Sequence, residues 1–191
     1  MNKYSVVFMP DTQTIEQIKQ MKLQLADKIG WFNSKNSLAH FTIFEFLEEG
    51  INMKRIEKQL ERIEKQLERI ASEIEPFHVK CTNFNSFENG AFFIQPNQDS
   101  SKILTLLMKQ VLLESHFIKK TITNTTPHLS IGRRLNDNQL QAAQKIFTEI
   151  ELSFEIDQLT LRIFDEKQRQ FKIYKQFPLL GNSKEIQGSL F

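Results

Sequence analysis

Two short runs, His40-Phe-Thr-Ile43 and His128-Leu-Ser-Ile131, constrain this 191-residue chain more than anything else in it. Each closes the same order of parts. Val6-Val-Phe-Met-Pro10, a helical segment and a polar loop precede the first run; Phe92-Phe-Ile-Gln-Pro96, a helical segment and a polar loop precede the second. Pro10 lies 30 residues before His40, and Pro96 lies 32 before His128. A duplicated α+β unit accounts for this order economically, although identity between the halves is slight. The expected fold class is therefore α+β. Two pseudo-symmetric lobes would interleave in one unit over residues 1–191, each an antiparallel-type sheet with outer helices, with a functional cleft between them.

Residues i and i+2 of a strand share a face. His40 and Thr42 thus point one way while Phe41 and Ile43 anchor the strand from behind, and His128 and Ser130 stand likewise against Leu129 and Ile131. A single such run is an ordinary strand with a hydrogen-bonded histidine. Two of them, at matching places in two similar halves and using two of only four histidines, form a constellation. His78 and His116 lack this setting and are expected to be structural or exposed. Arg133 and Arg134 follow the second run as candidate phosphate clamps. Strict alternation turns Arg134 to the face of His128, whereas a bulge at Gly132 would turn Arg133 there. Trp31, Phe32 and Tyr174 are expected to pack in the core rather than to stack on a ligand.

The remaining pattern is conventional. Tyr4–Met9 and Ala39–Leu47 read as strands, and between them a helix capped by Thr12 or Thr14 carries Ile15, Ile18, Leu25 and Ile29 to a stop at Gly30. The heptad Arg-Ile-Glu-Lys-Gln-Leu-Glu occurs at 55–61 and again at 62–68. Its stripe, from Met53 through Ile56, Leu60, Ile63, Leu67 and Ile70 to Ile74, is expected to cover the protein's own sheet. The alternative use of this 53–74 helix is a homodimeric coiled coil. Strands over 77–84 and 91–95, a helix over 100–115 burying Ile103, Leu106, Leu107, Val111 and Leu112, and a strand over 126–134 follow. A helix over 137–150 is expected to be capped by Asn136 with Gln139 in its first turn. Strands 154–164 and 171–177 would pair around Asp165-Glu-Lys, and the polar tail 182–191 is expected to be loose.

Composition removes other classes. With 25 Lys+Arg against 23 Asp+Glu, the net charge of +2 permits nucleic acid as a ligand without implying long-range steering towards it. Cys81 is alone, which excludes intramolecular disulfides and cysteine-based zinc sites. No run approaches the ~18 apolar residues of a membrane span, and the amino terminus does not read as a signal peptide, so a cytoplasmic protein is expected. No His/Asp/Glu set has zincin-like spacing, and neither a glycine-rich phosphate loop nor a Gly-x-Ser-x-Gly elbow occurs. No metal or cofactor is therefore expected.

With these residues in place, the chain resembles the 2H phosphoesterase superfamily, the 2′-5′ RNA ligase/cyclic phosphodiesterase-like family. Its mark is two His-x-Thr/Ser-x motifs on strands of two pseudo-symmetric lobes, here His40-Phe-Thr-Ile43 and His128-Leu-Ser-Ile131. The resemblance implies metal-free hydrolysis of a 2′,3′-cyclic or related phosphodiester of an RNA terminus or a small nucleotide, or joining of RNA through 2′–5′ linkages. It implies His40 and His128 as catalytic residues, Thr42 and Ser130 on the phosphate, and an arginine at the place of Arg133. The residues by themselves leave open which histidine is acid and which base; the resemblance leans to His40 as acid and His128 as base. The chain departs from the pattern at Glu45, where an apolar residue is expected. The rival reading is a non-catalytic RNA- or nucleotide-binding module that keeps the cleft.

Overall fold

The computed structural model describes residues 2–48 and 53–182. The chain runs β1 (Asn2–Phe8), α1 (Thr12–Ile29), β2 (Phe41–Glu48), α2 (Met53–Glu73), β3 (Phe77–Phe87), β4 (Ala91–Pro96), α3 (Gln98–Glu114), β5 (Lys120–Thr123), β6 (Leu129–Gly132), α4 (Asp137–Ile146), β7 (Leu152–Ile156), β8 (Gln158–Asp165) and β9 (Gln170–Pro178). A five-stranded sheet has the order β5-β2-β1-β8-β9 and a four-stranded sheet the order β6-β4-β3-β7, with every pairing antiparallel.

The duplication is visible in this order. β2-β1-β8 and β6-β4-β3 are equivalent trios, because β1 and β4 each open a half and β2 and β6 each carry a histidine run. The third strand of each half is exchanged: β3 completes the sheet of β4, and β8 completes the sheet of β1. The lobes are interleaved by this exchange. It is also why the single strand expected over 154–164 is not found as such. The chain breaks at Asp157, leaving β7 in the four-stranded sheet and β8 in the other.

Local chemistry sets the helix ends. Asp11, not Thr12 or Thr14, caps α1, its Oδ1 accepting from the Thr14 N–H at 2.7 Å. Gly30 ends it at φ 76°, a left-handed conformation that suits glycine. Asn136 and Gln139 form a reciprocal capping box on α4. In α2 and at Ile74 just after it, the stripe residues Leu60, Ile63, Leu67, Ile70 and Ile74 are all buried, and the helix packs on β9 and β8. The stripe is therefore covered by the chain's own sheet, as expected.

α3 corrects another expectation. Its buried face is Leu104, Met108 and Val111, while Ile103 is 43% and Leu106 68% exposed. Val111 is buried and Leu107 and Leu112 pack against the core as expected, so only Ile103 and Leu106 depart from the expectation; leucine and isoleucine occur all round this helix, and apolar density alone did not mark its buried face. The strand expected over 126–134 is only Leu129–Gly132, and the polar edge strand β5 was not anticipated, since its outward residues give no burial pattern. Phe32 is buried as expected, but Trp31 is 69% exposed and Tyr174 is 44% exposed, its ring edge-on to Tyr4. Ser5, not Tyr4, shares the face of the histidine runs, so Tyr174 lies on the opposite side of the sheet. The tail expected to be loose lies outside the described residues except for Asn182, whose N–H donates to Ser72 O at 2.8 Å.

Candidate active site between the two sheets

His40 and His128 each stand one residue before a strand, β2 and β6 respectively. Each ring is fixed in the same way. His40 Nδ1 lies 2.6 Å from Leu38 O, and His128 Nδ1 lies 2.8 Å from Thr126 O. A carbonyl oxygen can only accept, so both Nδ1 atoms carry the proton. In the neutral ring the free lone pair is then on Nε2, turned away from the backbone that holds the ring.

Both motif strands are bulged at the same place. Thr42 pairs with Val7 and Phe44 with Val6, leaving Ile43 extra; Ser130 pairs with Phe93 and Gly132 with Phe92, leaving Ile131 extra. The bulge thus falls one residue before the Gly132 expected, and it recurs in the first half, where no glycine marks it. A bulge frees a backbone carbonyl from the ladder. Here each is satisfied from the opposite half: Asn124 N–H donates to Ile43 O at 2.8 Å, and the buried Ser34 hydroxyl donates to Ile131 O at 3.0 Å. Loops from each half therefore lock the histidine strand of the other.

After the bulge, Glu45 joins Thr42 on one face of β2, in cross-strand line with Ser5 and Arg162. Glu45 is buried and ion-paired with Lys3, which explains how a carboxylate is tolerated there. Arg162 is only 2% exposed; it donates to Ser5 Oγ at 3.1 Å and lies 5.1 Å from the Phe171 ring centroid. Its Nε–H and the Thr160 hydroxyl are buried without a hydrogen-bond partner among the described residues. Lys22 is also buried, its Nζ donating to Ser37 O at 2.7 Å and Ser37 Oγ at 3.0 Å.

These cations act on one another and on the histidines. Burial, then Arg162, Lys22 and Arg133, hold His40 well below the usual imidazole range, against the opposing effect of its bond to Leu38. His128 is lowered by burial and, among charges, by Arg133 alone. Burial, with Arg162 and Arg133, pushes Lys22 down to about 7. Arg162 falls to about 9 through burial, and remains charged at neutral pH. Arg133 is the one charge that bears on both histidines, last among the causes for each. Arg134 takes the left-handed turn at φ 56° and has no comparable influence on either ring.

Sequence reasoning missed Lys22 and Arg162. Both left a trace. Lys22 occupies the gap in the apolar stripe between Ile18 and Leu25, and Arg162 interrupts Leu159-Thr-Leu-Arg-Ile-Phe164. A charge where the periodicity demands an apolar residue is the signal of a buried ion. His78 and His116 are exposed, with His78 facing Glu155 at 3.7 Å. Among the described residues no group of three His, Cys, Asp or Glu side chains converges to hold a metal ion, and no helix is long and apolar enough to cross a membrane.

Two interleaved antiparallel sheets with a histidine run in each define a two-histidine α+β protein, and solved structures share its fold. The TT0787 protein of Thermus thermophilus is 15% identical at a TM-score of 0.58, with 95% of this chain and 100% of that one covered. Escherichia coli LigT in its complex with 3′-AMP is 11% identical at a TM-score of 0.59, with 93% of this chain and 98% of that one covered. LigT has also been crystallised with NADP+. No curated protein matches the chain in sequence. The model of the 2′-5′ RNA ligase superfamily matches residues 10–168, and the chain belongs to that superfamily, the 2H phosphoesterases.

Proposed function

We propose that the protein is a metal-independent phosphodiesterase that opens a 2′,3′-cyclic phosphate, or a related phosphodiester, at an RNA terminus or on a small nucleotide. The observation that carries this reading is the pair of equivalently held histidines, each with Nδ1 tied to the carbonyl two residues earlier at the head of an equivalent bulged strand. Opening the ring needs a base for water and an acid for the departing oxygen, and imidazole serves either role near neutrality. One Nε2 takes a proton from water as its oxygen attacks phosphorus; the bond to the departing 2′ or 3′ oxygen breaks, and that oxygen takes a proton from the other Nε2. Each transfer contributes roughly 10²–10⁴-fold.

The surroundings support a division of roles. His40, beside Arg162 and Lys22 as well as Arg133, is the harder ring to protonate and serves as base. His128, depressed less and by fewer cations, serves as acid once a bound anionic phosphate favours its protonated form. This reverses the lean taken from family resemblance. Thr42 and Ser130 donate to the non-bridging oxygens, and Arg133 stabilises the charge that develops on them. LigT, crystallised with 3′-AMP, is consistent with a nucleotide ligand.

The test is hydrolysis of nucleoside 2′,3′-cyclic phosphates in EDTA by the wild type, His40→Ala and His128→Ala. Turnover by the wild type and its loss in each variant, with unchanged circular dichroism, supports the reading. Normal turnover in either variant removes that histidine from the mechanism, and an inert wild type that still binds nucleotides favours a binding module.

A further inference from the structure

The polar edge strand β5 brings one residue to both histidine runs. Thr123 pairs with Phe44, and the next residue, Asn124, donates its N–H to Ile43 O, the carbonyl freed by the bulge in the first histidine strand, at 2.8 Å. The side chain of the same residue serves the second run. Its Oδ1 accepts from the Thr126 N–H at 2.9 Å, and its Nδ2 donates to Thr126 O at 3.2 Å. Thr126 O is the carbonyl to which His128 Nδ1 donates at 2.8 Å. Asn124 therefore holds the strand that follows His40 through its backbone and reaches the His128 ring through its carboxamide.

The local sequence explains why an asparagine stands here. Thr126 precedes Pro127, and a proline ring drives the residue before it into an extended conformation. The N–H and C=O of an extended residue point to the same side, where the partner in a strand pair would take both. A carboxamide has one acceptor and one donor side by side and fills that place. An ionised aspartate has no donor, and serine has a single oxygen. A carbonyl oxygen has two lone pairs, and those of Thr126 O go to Asn124 and His128, so the direction of the carbonyl is set together with that of the ring. Thr105 of α3 donates to Thr125 O at 3.2 Å, which holds the neighbouring peptide as well. Other groups bearing on the ring belong to other parts of the fold: Phe87 of β3 and Phe93 of β4, with centroids 5.4 and 5.2 Å away, and Arg133 just after β6. In the first half the loop before His40 is braced differently, by Lys22 on Ser37 O and Ser37 Oγ, next to the Leu38 carbonyl that holds the ring.

Resting on the phosphodiesterase reading, we propose that Asn124 is a positioning residue for the reaction, its carboxamide aiming the Thr126 carbonyl so that His128 keeps a proton on Nδ1 and presents Nε2 to the substrate. It acts through the ring alone and touches no reacting atom. Without the amide, Thr126 O is free to turn, and the tautomer with its proton on Nε2 becomes accessible to the neutral ring. The bond to Thr126 O also favours the protonated ring, so loosening it lowers His128 further.

Two variants test it. Asn124→Ala removes the carboxamide and keeps the backbone N–H that holds Ile43 O. Asn124→Ser restores an acceptor for the Thr126 N–H without a carboxamide donor to Thr126 O. Each is followed by histidine proton resonances against pH, assigned with the His40→Ala and His128→Ala proteins, and by kinetics on a nucleoside 2′,3′-cyclic phosphate. Circular dichroism checks the fold. In Asn124→Ala the His128 midpoint is expected to fall while that of His40 stays in place, and kcat to drop about tenfold or more with KM within about twofold. Asn124→Ser is expected to lie between this variant and the wild type. A His128 midpoint unmoved in both variants, an equal movement of His40, or an unchanged kcat overturns the proposal and leaves the phosphodiesterase reading intact. The titration needs no substrate, so a wild type that hydrolyses no cyclic phosphate overturns the phosphodiesterase reading while a selective fall at His128 still upholds the hold of Asn124 on the ring.

Discussion

Replacing Lys22 by methionine should make the protein more stable below pH 7, and by an amount that depends on pH. The lysine is 1% exposed and its ammonium is pushed from 10.5 down to about 7 by burial, Arg162 and Arg133. At about 1.36 kcal/mol per pH unit, that lowering represents about 5 kcal/mol of destabilisation when the side chain is held charged. Methionine of similar length removes the charge but forfeits the bonds to Ser37 O and Ser37 Oγ, at roughly 1.5 kcal/mol each. The net gain at pH 6 is about 2 kcal/mol, or a rise in Tm of roughly 4–8 °C for a chain of this size. Between pH 7 and 10.5 the unfolded chain keeps a proton at Lys22 that the folded chain has released, so wild-type stability climbs with pH there. The variant lacks that climb, and its advantage disappears towards the upper end of the window. Thermal melts of both proteins at pH 6 and pH 9.5 decide the matter. A variant that melts lower than wild type at pH 6, or a gain of the same size at both pH values, refutes the reasoning. The same substitution removes a cation that opposes protonation of His40, so the acid limb of the rate profile should move to higher pH.

For the wild type, kcat/KM should peak below pH 6.5, because both histidines of the free enzyme are lowered and the acid must still hold its proton. The alkaline limb of kcat should lie at higher pH than that of kcat/KM, since a bound anion raises His128; coincident limbs would contradict this. Arg162→Met should shift the acid limb upward without preventing hydrolysis, whereas an unmoved limb would remove Arg162 from the control of His40. Gly90→Ala should cost more than the roughly 1–2 kcal/mol of a left-handed backbone, because φ is 77° and an added Cβ would meet Leu135 O at 2.2 Å. Since the Leu135 N–H donates to Gly90 O just after Arg133, activity should fall with Tm, and a variant with wild-type Tm would refute the packing argument. Leu67→Ala should lose roughly 2–5 kcal/mol, with a Tm independent of protein concentration; a concentration-dependent Tm would show that α2 serves an interface after all.

The parts of the fold that were legible in the sequence share one property: local chemistry and periodicity agree there. The Asn136–Gln139 capping box, the stop at Gly30, the α2 stripe and the repeated order leading to each histidine all signal through neighbours in the chain. What was hidden depends on partners far away. Asp157 divides a single stretch of alternating apolar and polar residues because its two sides belong to different sheets. β5 is polar and has one neighbouring strand, so its only signature is the ladder with β2. The bulge at Ile131 is marked only by the adjacent Gly132 and that at Ile43 by no glycine, because Asn124 and Ser34, which satisfy the freed carbonyls, come from the other half. For the site, the histidines and hydroxyls were visible as a repeated pattern, but Lys22 and Arg162 were passed over because each stands alone in an apolar stripe.

Those two residues also break the symmetry between the halves. Duplication alone would produce two equivalent histidines, held by equivalent carbonyl bonds on equivalently bulged strands, with no reason for one to give a proton and the other to take it. Lys22 and Arg162 act on His40 and have no counterpart among the charges acting on His128. Both are buried, and at least Lys22 is held at a substantial expense in stability. A solvent-exposed lysine would exert little field through water, whereas a buried one acts at low dielectric. Burial is what makes these cations effective on His40, so the destabilisation and the division of roles proposed above would have the same physical origin. A Lys22→Met/Arg162→Met protein should accordingly be one in which the two rings titrate closer together, a difference that histidine proton resonances followed against pH would resolve. Rings that stay as far apart as in the wild type would locate the asymmetry elsewhere.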